Sequence, residues 1–393
     1  MEKKNLNCLQ VSKFEQDTLH PSFDTINPEF SKRITSMRFA MALFIVFIHN
    51  SLNEAIHFAT GDIVIDMPLW MHIIHDTMVN YWGGIAVPTF FIISGYLFYA
   101  KPKNAVKTIK SKFKGIFVPY VLWIGLSILL YYIAQSFDLS KPYFAQSENI
   151  IRNWSISDYF KAFWARHFGS ESNTLNAPFV PPFWYIRDLM IMMLISPIIK
   201  FLANKFPAAW LIFITLLYFS EVTLHIIDIQ YGFTTALFFF SLGYYAVQHI
   251  GKIMNFLDSI SWRDFIVAYV LSFFFMVYAD INKLIGYGFV KWFNLLFTIG
   301  LAIKVAGVIS KKDKIFKKLS YLSNYSFWIF AAHLPLVLTA IRKISIKYIP
   351  MHGIWILLYF FGVVIVCVGV LLVIGILLKK YLPKVYTLLN GGR

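Results

Sequence analysis

Residues 36–50 read SMRFAMALFIVFIHN. It is an apolar segment suited to a bilayer, yet it carries Arg38 near one end and His49 near the other. On an α-helix these side chains project from nearly the same face and lie about 16 Å apart along the axis. Ionisable groups are costly inside a membrane, so each is a candidate functional residue. The structural alternative has Arg38 reaching the cytoplasmic headgroups and His49 hydrogen-bonded at the outer interface.

The composition is that of an integral membrane protein. Of 393 residues, 58% are hydrophobic and only 14% are charged, and apolar runs recur along nearly the whole length. The net charge of +16 does not indicate nucleic-acid binding, because the lysines form short clusters between apolar runs, as the positive-inside rule describes. The polar N-terminal stretch lacks the apolar core of a signal peptide, and Cys8 and Cys367 do not indicate a disulfide framework.

The distribution of Lys and Arg predicts an all-α, polytopic membrane protein with about ten transmembrane helices and both termini in the cytoplasm. The predicted spans are 34–51, 83–100, 116–137, 183–199, 208–220, 234–247, 265–279, 286–309, 325–341 and 354–378. Residues 52–82 contain no Lys or Arg and are assigned to the outside, whereas the lysine-rich residues 101–114 are assigned to the cytoplasm. One loop opposes this topology, because Arg342, Lys343 and Lys347 would lie outside.

We expect a single domain. Residues 1–32 form a cytoplasmic tail, residues 33–380 form the transmembrane domain, and residues 381–393 form a second cytoplasmic tail. No internal repeat or low-complexity linker is visible, and we expect no appended soluble domain.

A run of lysines before the third span is a candidate site for phosphate groups. The lysines considered for this role are Lys107, Lys110, Lys112 and Lys114. They lie where a helix begins, and backbone N–H groups at a helix N-terminus also attract anions. The alternative is that these lysines determine topology, and the two roles are compatible.

Small residues in the second span have two interpretations. Ser94-Gly95-Tyr96 lies at a depth where small side chains usually let two helices approach closely. The functional alternative is that the gap admits a long, thin ligand past the backbone.

The fourth span opens with ionisable and aromatic residues. Arg187 and Asp188 are adjacent, so they point in different directions on one helix, and we expect each to find a partner on another span. Trp184 and Tyr185 are explained by an aromatic belt at the interface or, functionally, by a platform for sugar rings or acyl groups.

Three other histidines are candidate site residues. His333 lies well inside apolar sequence and is expected in the outer half of the membrane, like His49. The spacing His72-x-x-His75-Asp76 would suit a metal on a helix, but two histidines and a carboxylate without further ligands are more often surface residues. We therefore expect no metal site.

Five motifs, taken in order, resemble acyltransferase family 3, whose members are membrane proteins that O-acylate cell-surface glycans. They are R-x10-H in the first span, FFIISGYLFY in the second, a basic run into Pro119-Tyr120 at the third, PPFWYIRDLMIMMLISPII in the fourth, and SFWIFAAHLPL near the end. The resemblance covers roughly residues 33–380 and depends on the order of the motifs rather than on any one of them.

The resemblance implies roles for individual residues. His49 matches the catalytic histidine of the family and Arg38 its partner arginine, both associated with an acyl-coenzyme A donor. The R-x-x-R of the family is represented here by lysines such as Lys107-x-x-Lys110. Lysine attracts phosphate but lacks the bidentate fork of arginine.

The resulting hypothesis is an inner-membrane O-acetyltransferase with acetyl-coenzyme A as donor and a glycan or glycolipid as acceptor. Arg38, Ser94 and the lysine run would hold the donor. The acceptor side would be formed by Trp184, Arg187, Asp188 and His333, with Tyr96 or Lys291 stabilising the oxyanion. Homo-oligomerisation, the acceptor and the length of the acyl group stay open.

Two hypotheses from other functional classes remain. A transporter or flippase for a glycan or lipid precursor would use buried charges and a basic cytoplasmic face equally well, although transporters often contain internal repeats. A structural subunit of polysaccharide assembly would leave His49 without a function. The missing repeats favour the enzyme.

Overall fold

The computed structural model describes residues 26–52, 56–58, 61–63, 65–100, 105–145, 150–165, 177–222, 224 and 232–392, which are mostly helical. In chain order the α-helices are α1 Pro28–His49, α2 Leu69–Asp76, α3 Ala86–Tyr99, α4 Ala105–Ala134, α5 Lys141–Phe144, α6 Ile156–Lys161, α7 Trp184–Lys205, α8 Pro207–Val222, α9 Phe233–Ser259, α10 Trp262–Ile281, α11 Tyr287–Ser310, α12 Asp313–Ser323, α13 Ser326–Ala332, α14 Leu338–Ser345, α15 Ile354–Tyr381 and α16 Pro383–Leu389.

Shorter elements join these helices. A π-helical segment, Thr77–Tyr81, and a 3-10 turn, Gly83–Ile85, connect α2 to α3. A second π-helical segment, His333–Val337, connects α13 to α14. Strands β1 (Ile56–Phe58) and β2 (Gly61–Ile63) pair antiparallel in the segment after α1.

Six helical stretches among the described residues are long and apolar enough to cross a membrane. They are Leu69–Tyr99, Gly115–Ala134, Trp262–Ile281, Tyr287–Ser310, Asp313–Ser345 and Ile354–Tyr381. These stretches overlap six of the ten predicted spans, and the other four predicted spans also form helices, namely α1, α7, α8 and α9. The chain is thus a polytopic, mainly helical membrane protein, and the count of ten stays a prediction.

Several boundaries differ from those predicted. Helix α1 begins at Pro28, inside the predicted tail, because Asn27 caps it by accepting a hydrogen bond from the Phe30 N–H and Pro28 suits the first helical position. The predicted outer loop 52–82 contains α2 and the hairpin. Helix α9 continues to Ser259, well past the predicted end of the sixth span.

Helix α1 is the element that the others surround. It packs against α3, α11, α12, α13 and α15. Its charged end is fixed by Arg33, whose guanidinium is fully buried and donates to Glu29 at 2.5 Å and to both oxygens of Asp258 on α9. Gly307 on α11 leaves room for this side chain, since a Cβ there would lie 2.8 Å from the Arg33 Cζ. The hydrogen bonds from Arg33 hold the pKa of the Asp258 carboxyl below its ordinary value.

Helices α3 and α9 approach closely at two glycines. A Cβ on Gly95 would lie 2.3 Å from the Phe240 carbonyl oxygen, and a Cβ on Gly243 would lie 2.5 Å from the Ile92 carbonyl oxygen. Neither position can accept a side chain unless a backbone moves. The interpretation of Ser94-Gly95-Tyr96 as a close helix contact is confirmed at Gly95.

Candidate functional site

Helix α1 carries both residues of the R-x10-H motif on one continuous helix. No Pro or Gly interrupts it after Pro28. Arg38 and His49 are therefore held about 16 Å apart along its axis and on nearly one face, as predicted. Both side chains are half-buried.

Arg342 holds the end of α1 at which His49 lies. Its Nη1 donates to the His49 carbonyl at 3.2 Å, and its Nη2 donates to the Ser51 carbonyl at 2.9 Å. The last carbonyls of a helix have no partner within the helix, so a cation there satisfies both hydrogen bonding and the helix dipole. The Arg342 carbonyl in turn accepts from the Tyr359 hydroxyl at 3.0 Å.

Two further hydrogen bonds fix the residues after His49. The buried Asn50 donates through Nδ2 to the Phe360 carbonyl at 2.9 Å. The Leu52 N–H donates to His75 Nε2 at 3.0 Å, and His75 Nδ1 lies 2.8 Å from an Asp76 oxygen. Since Nε2 accepts, Nδ1 carries the proton and donates it to Asp76. The turn that follows the candidate base is thereby anchored to α2 and α15 as well as to α14.

His333 lies beside His49, with ring centroids 5.3 Å apart. It is fully buried at the point where the helix is interrupted, because Leu334 has an extended backbone and Pro335 has no N–H. His333 Nδ1 lies 2.8 Å from the Phe330 carbonyl and 3.1 Å from the Ile329 carbonyl. His49 of the first span and His333 of the ninth span thus lie next to each other, in agreement with the prediction that both lie at a similar depth in the membrane.

Aromatic side chains form a wall next to the two imidazoles. Phe183 stacks on Phe330 at 5.9 Å and on Tyr120 at 5.6 Å, and Phe330 lies 6.4 Å from the His333 ring. Tyr185 packs edge-on against Phe330 and shares a 3.0 Å hydrogen bond with Ser94. This wall links Ser94 to the histidine pair, and its aromatic rings are themselves buried.

Arg187 and Asp188 correct a prediction. Arg187 Nε donates to Asp188 Oδ1 at 2.9 Å, and both side chains are fully buried, so these neighbours do pair with each other. The guanidinium stem is long enough to fold back onto the next carboxylate in the first turn of α7. Arg187 also donates to the Trp164 carbonyl at 2.8 Å and lies over the Trp164 ring.

Trp184 is half-buried at the start of α7, close to this ion pair. It packs 6.1 Å from Phe91, and its ring covers Gly232, where a Cβ would lie 2.3 Å from the indole. Gly232 has a positive φ of 84°, which glycine adopts without strain. The predicted acceptor-side residues Trp184, Arg187 and Asp188 are therefore neighbours in the structure.

Tyr96 on α3 lies beside the N-terminal end of α1, whereas the oxyanion role predicted for it requires a position near His49 at the C-terminal end. Its hydroxyl accepts a 3.0 Å hydrogen bond from the Asn27 N–H, and its ring packs against Phe30. Helix α1 is 22 residues long, so its two ends lie about 33 Å apart. Because α3 runs antiparallel to α1, Tyr96 is remote from His49, and an oxyanion role for Tyr96 beside His49 is wrong. Lys291 stays a candidate; it is half-buried on α11.

The lysine run lies outside the described residues as far as side chains are concerned. The backbone of residues 105–114 belongs to α4. The phosphate-binding prediction for Lys107, Lys110, Lys112 and Lys114 stays a prediction.

Comparison with known proteins identifies the family. A family model described as an acyltransferase domain matches residues 32–377. The chain belongs to acyltransferase family 3. The family resemblance drawn from the five motifs is thereby confirmed. This family member is also 25% identical, over 92% of both chains, to the succinoglycan biosynthesis protein ExoH of Rhizobium meliloti. No solved structure matches it.

Several residues at the site were missed or misjudged from the sequence. In the sequence Arg342 is an exception to the charge rule, yet in the structure it donates to the carbonyl of His49. Lys343 and Lys347, the other basic residues of that loop, both donate to Tyr143. The sequence did contain one indication that these basic residues bind other parts of the protein. They contradict a topology with which the other loops agree. Asn50, directly after the motif, carried no signal of its own.

Proposed function

We propose that this acyltransferase moves an acetyl group from acetyl-coenzyme A to a hydroxyl of a surface polysaccharide or its lipid-linked precursor, in an inner membrane. Family membership supports acyl transfer, and the name of the Rhizobium protein supports a polysaccharide acceptor. The observation that carries the proposal is the position of His49, half-exposed beside a buried imidazole and on the same helix as Arg38.

The donor would approach from the cytoplasm in a ten-span topology with both termini inside. Gly83 lies against Ile48 near one end of α1, and Ser94 follows Gly83 by about 16 Å of helix. Ser94 therefore shares the depth of Arg38. A long pantetheine arm would pass this level, with its phosphates at Arg38 and the lysine run, and present the thioester to His49.

His49 would act as general base. The acceptor oxygen attacks the thioester carbonyl carbon while its proton moves to His49. When the tetrahedral intermediate collapses, the C–S bond breaks and the coenzyme A thiolate takes that proton. In the alternative route a His49 nitrogen attacks the thioester carbonyl carbon and coenzyme A leaves as the C–S bond breaks. The acceptor oxygen then attacks the same carbon, and His49 leaves as the N–C bond breaks.

The test uses purified protein in detergent with radiolabelled acetyl-coenzyme A and no acceptor. Wild type is expected to hydrolyse the donor slowly or to label itself, and His49→Ala to lose both. His352→Ala, which removes an exposed histidine outside the site, is the matched control and should behave as wild type. The proposal is wrong if His49→Ala consumes donor at the wild-type rate. Glycan flux without any dependence on coenzyme A would favour a transporter instead.

A further inference from the structure

The buried ring of His333 has one nitrogen satisfied and one without a partner. Its Nδ1 faces two backbone carbonyls, which only accept, so Nδ1 carries the proton. His333 makes no ion pair within the described chain, and burial disfavours a second, charged proton. Nε2 is thus a bare acceptor, and it is buried with no hydrogen-bond partner among the described residues.

An unpaired buried acceptor is costly, by about 1–3 kcal/mol, and this one lies against a ring that can donate. The His333 and His49 centroids are 5.3 Å apart. A ring nitrogen lies about 1.1 Å from its centroid, so two nitrogens placed on the line between the centroids would be about 3 Å apart, the length of a hydrogen bond. The planes are tilted by 41°. The hydrogen bond is not made in this ring orientation, and rotation of His49 about its broad χ2 torsion would be needed to aim an N–H at Nε2.

We propose that His333 is a positioning residue for His49, accepting a hydrogen bond at Nε2 from one ring N–H of His49. The other nitrogen of His49 is then held as the unprotonated base that faces the acceptor hydroxyl. The helix carbonyls of Ile329 and Phe330 orient His333, and His333 orients His49. This inference rests on the proposed role of His49 in acyl transfer.

The arrangement also supports the proton transfer. When the hydroxyl proton moves to His49, the ring becomes an imidazolium with two N–H groups. One of them already points at the lone pair of the fully buried His333, so the positive charge is stabilised as it develops. Within the described residues, the charged or titratable groups on the elements around His49 also include Arg342 at its carbonyl and the His75–Asp76 pair beyond Leu52.

Two substitutions separate this role from simple capping of the helix carbonyls. His333→Asn places its amide nitrogen near the Nδ1 position, so it can still donate to Phe330, but it removes the acceptor at Nε2. His333→Gln extends to the Nε2 position and can present its amide oxygen to His49. Donor hydrolysis by both variants is compared with wild type and His49→Ala, using radiolabelled acetyl-coenzyme A in detergent.

We expect His333→Asn to lower kcat about 10- to 100-fold with the KM for donor unchanged, the effect of losing one hydrogen bond to a charged group. His333→Gln should recover most of that loss. Equal melting temperatures of the two variants show that folding is not the cause. Wild-type turnover in His333→Asn, or recovery by Asn and not by Gln, would overturn the positioning role. Wild-type turnover in His49→Ala would instead overturn the proposed function itself.

Discussion

At the scale of single residues, Arg342 holds the backbone that carries His49. Its guanidinium bridges two carbonyls, of His49 and of Ser51, with two nitrogens of one planar group. Arg342→Ala leaves both carbonyls without this donor and is expected to lower the free energy of unfolding by about 2 kcal/mol. Arg342→Lys should recover part of the loss, because an ammonium keeps the charge but not the fork.

Melting temperature and donor turnover of the purified variants check this prediction. The matched control is Arg263→Ala, which removes an exposed arginine whose ion pair is with its neighbour Asp264, and which should change stability by less than about 0.5 kcal/mol. If Arg342→Ala matches Arg263→Ala in both readouts, Arg342 does not position His49.

Asp258 gives a prediction about pH at the other end of α1. Its folded-state pKa is lowered by hydrogen bonds from Arg33, so the carboxylate contributes stability that is fully present above its unfolded pKa of about 4. That contribution is lost as the pH falls through the lower folded pKa. Asp258→Asn should therefore melt below wild type at pH 7, and the difference should narrow below about pH 4.

Thermal unfolding across pH 3–8 tests this expectation. Asp264→Asn is the control, since Asp264 is an exposed surface residue whose pKa is also lowered but whose partners lie in its own turn. A difference between wild type and Asp258→Asn that is constant with pH would show that the Arg33 ion pair is not responsible.

Relative positions within one helix could be predicted from the sequence, whereas contacts between distant residues could not. The relative placement of Arg38 and His49 was predictable because both belong to one helix, whose geometry follows from a local pattern. The contact between Arg342 and His49 joins positions 293 residues apart, and nothing local encodes it. The prediction that Arg187 and Asp188 do not pair with each other failed for a different reason. Helical direction decides where Cβ atoms point, but a long guanidinium can fold back onto its neighbour.

At the scale of elements, the crossing of α3 and α9 depends on glycine. The Cβ of Gly95→Ala would meet the Phe240 carbonyl oxygen, which belongs to the backbone and cannot turn aside. Overpacking of this kind costs about 1–3 kcal/mol, so we expect a lower melting temperature. Gly251→Ala on α9, the other helix of the crossing, is the control, because no neighbouring atom lies within 4 Å of a Cβ there and alanine favours the helix. Equal melting temperatures would show that the crossing tolerates a methyl group.

Helix positions were largely predictable from apolar runs, but helix irregularities were not. The predicted spans 116–137 and 354–378 correspond to helices α4 and α15. The C-terminal ends of these helices, Ala134 and Tyr381, lie within a few residues of the predicted ends. The interruption at His333–Val337 was not anticipated, although Pro335 was visible. Proline indicates a break, yet the side chain that replaces the lost helix hydrogen bonds is selected by packing against α1. For this reason the local geometry of His333 could not be read from the sequence.

At the scale of the whole molecule, the proposed mechanism makes a prediction about sidedness. The end of α1 near Arg33 and Tyr96 and the end near His49 lie about 33 Å apart, close to the thickness of a bilayer core. The proposed topology places Arg38 toward the cytoplasm. Acetyl-coenzyme A carries several negative charges and does not cross a sealed bilayer.

Sealed vesicles of known orientation test that topology together with the donor site. In inverted vesicles, radiolabelled acetyl-coenzyme A added outside should be hydrolysed, and a C-terminal tag should be open to protease. In right-side-out vesicles both should be protected, and detergent should equalise the two preparations. The His49→Ala protein in the same vesicles measures background. If right-side-out vesicles consume donor while the tag is protected, the donor enters from the side opposite the C-terminus, and Arg38 cannot mark its entrance.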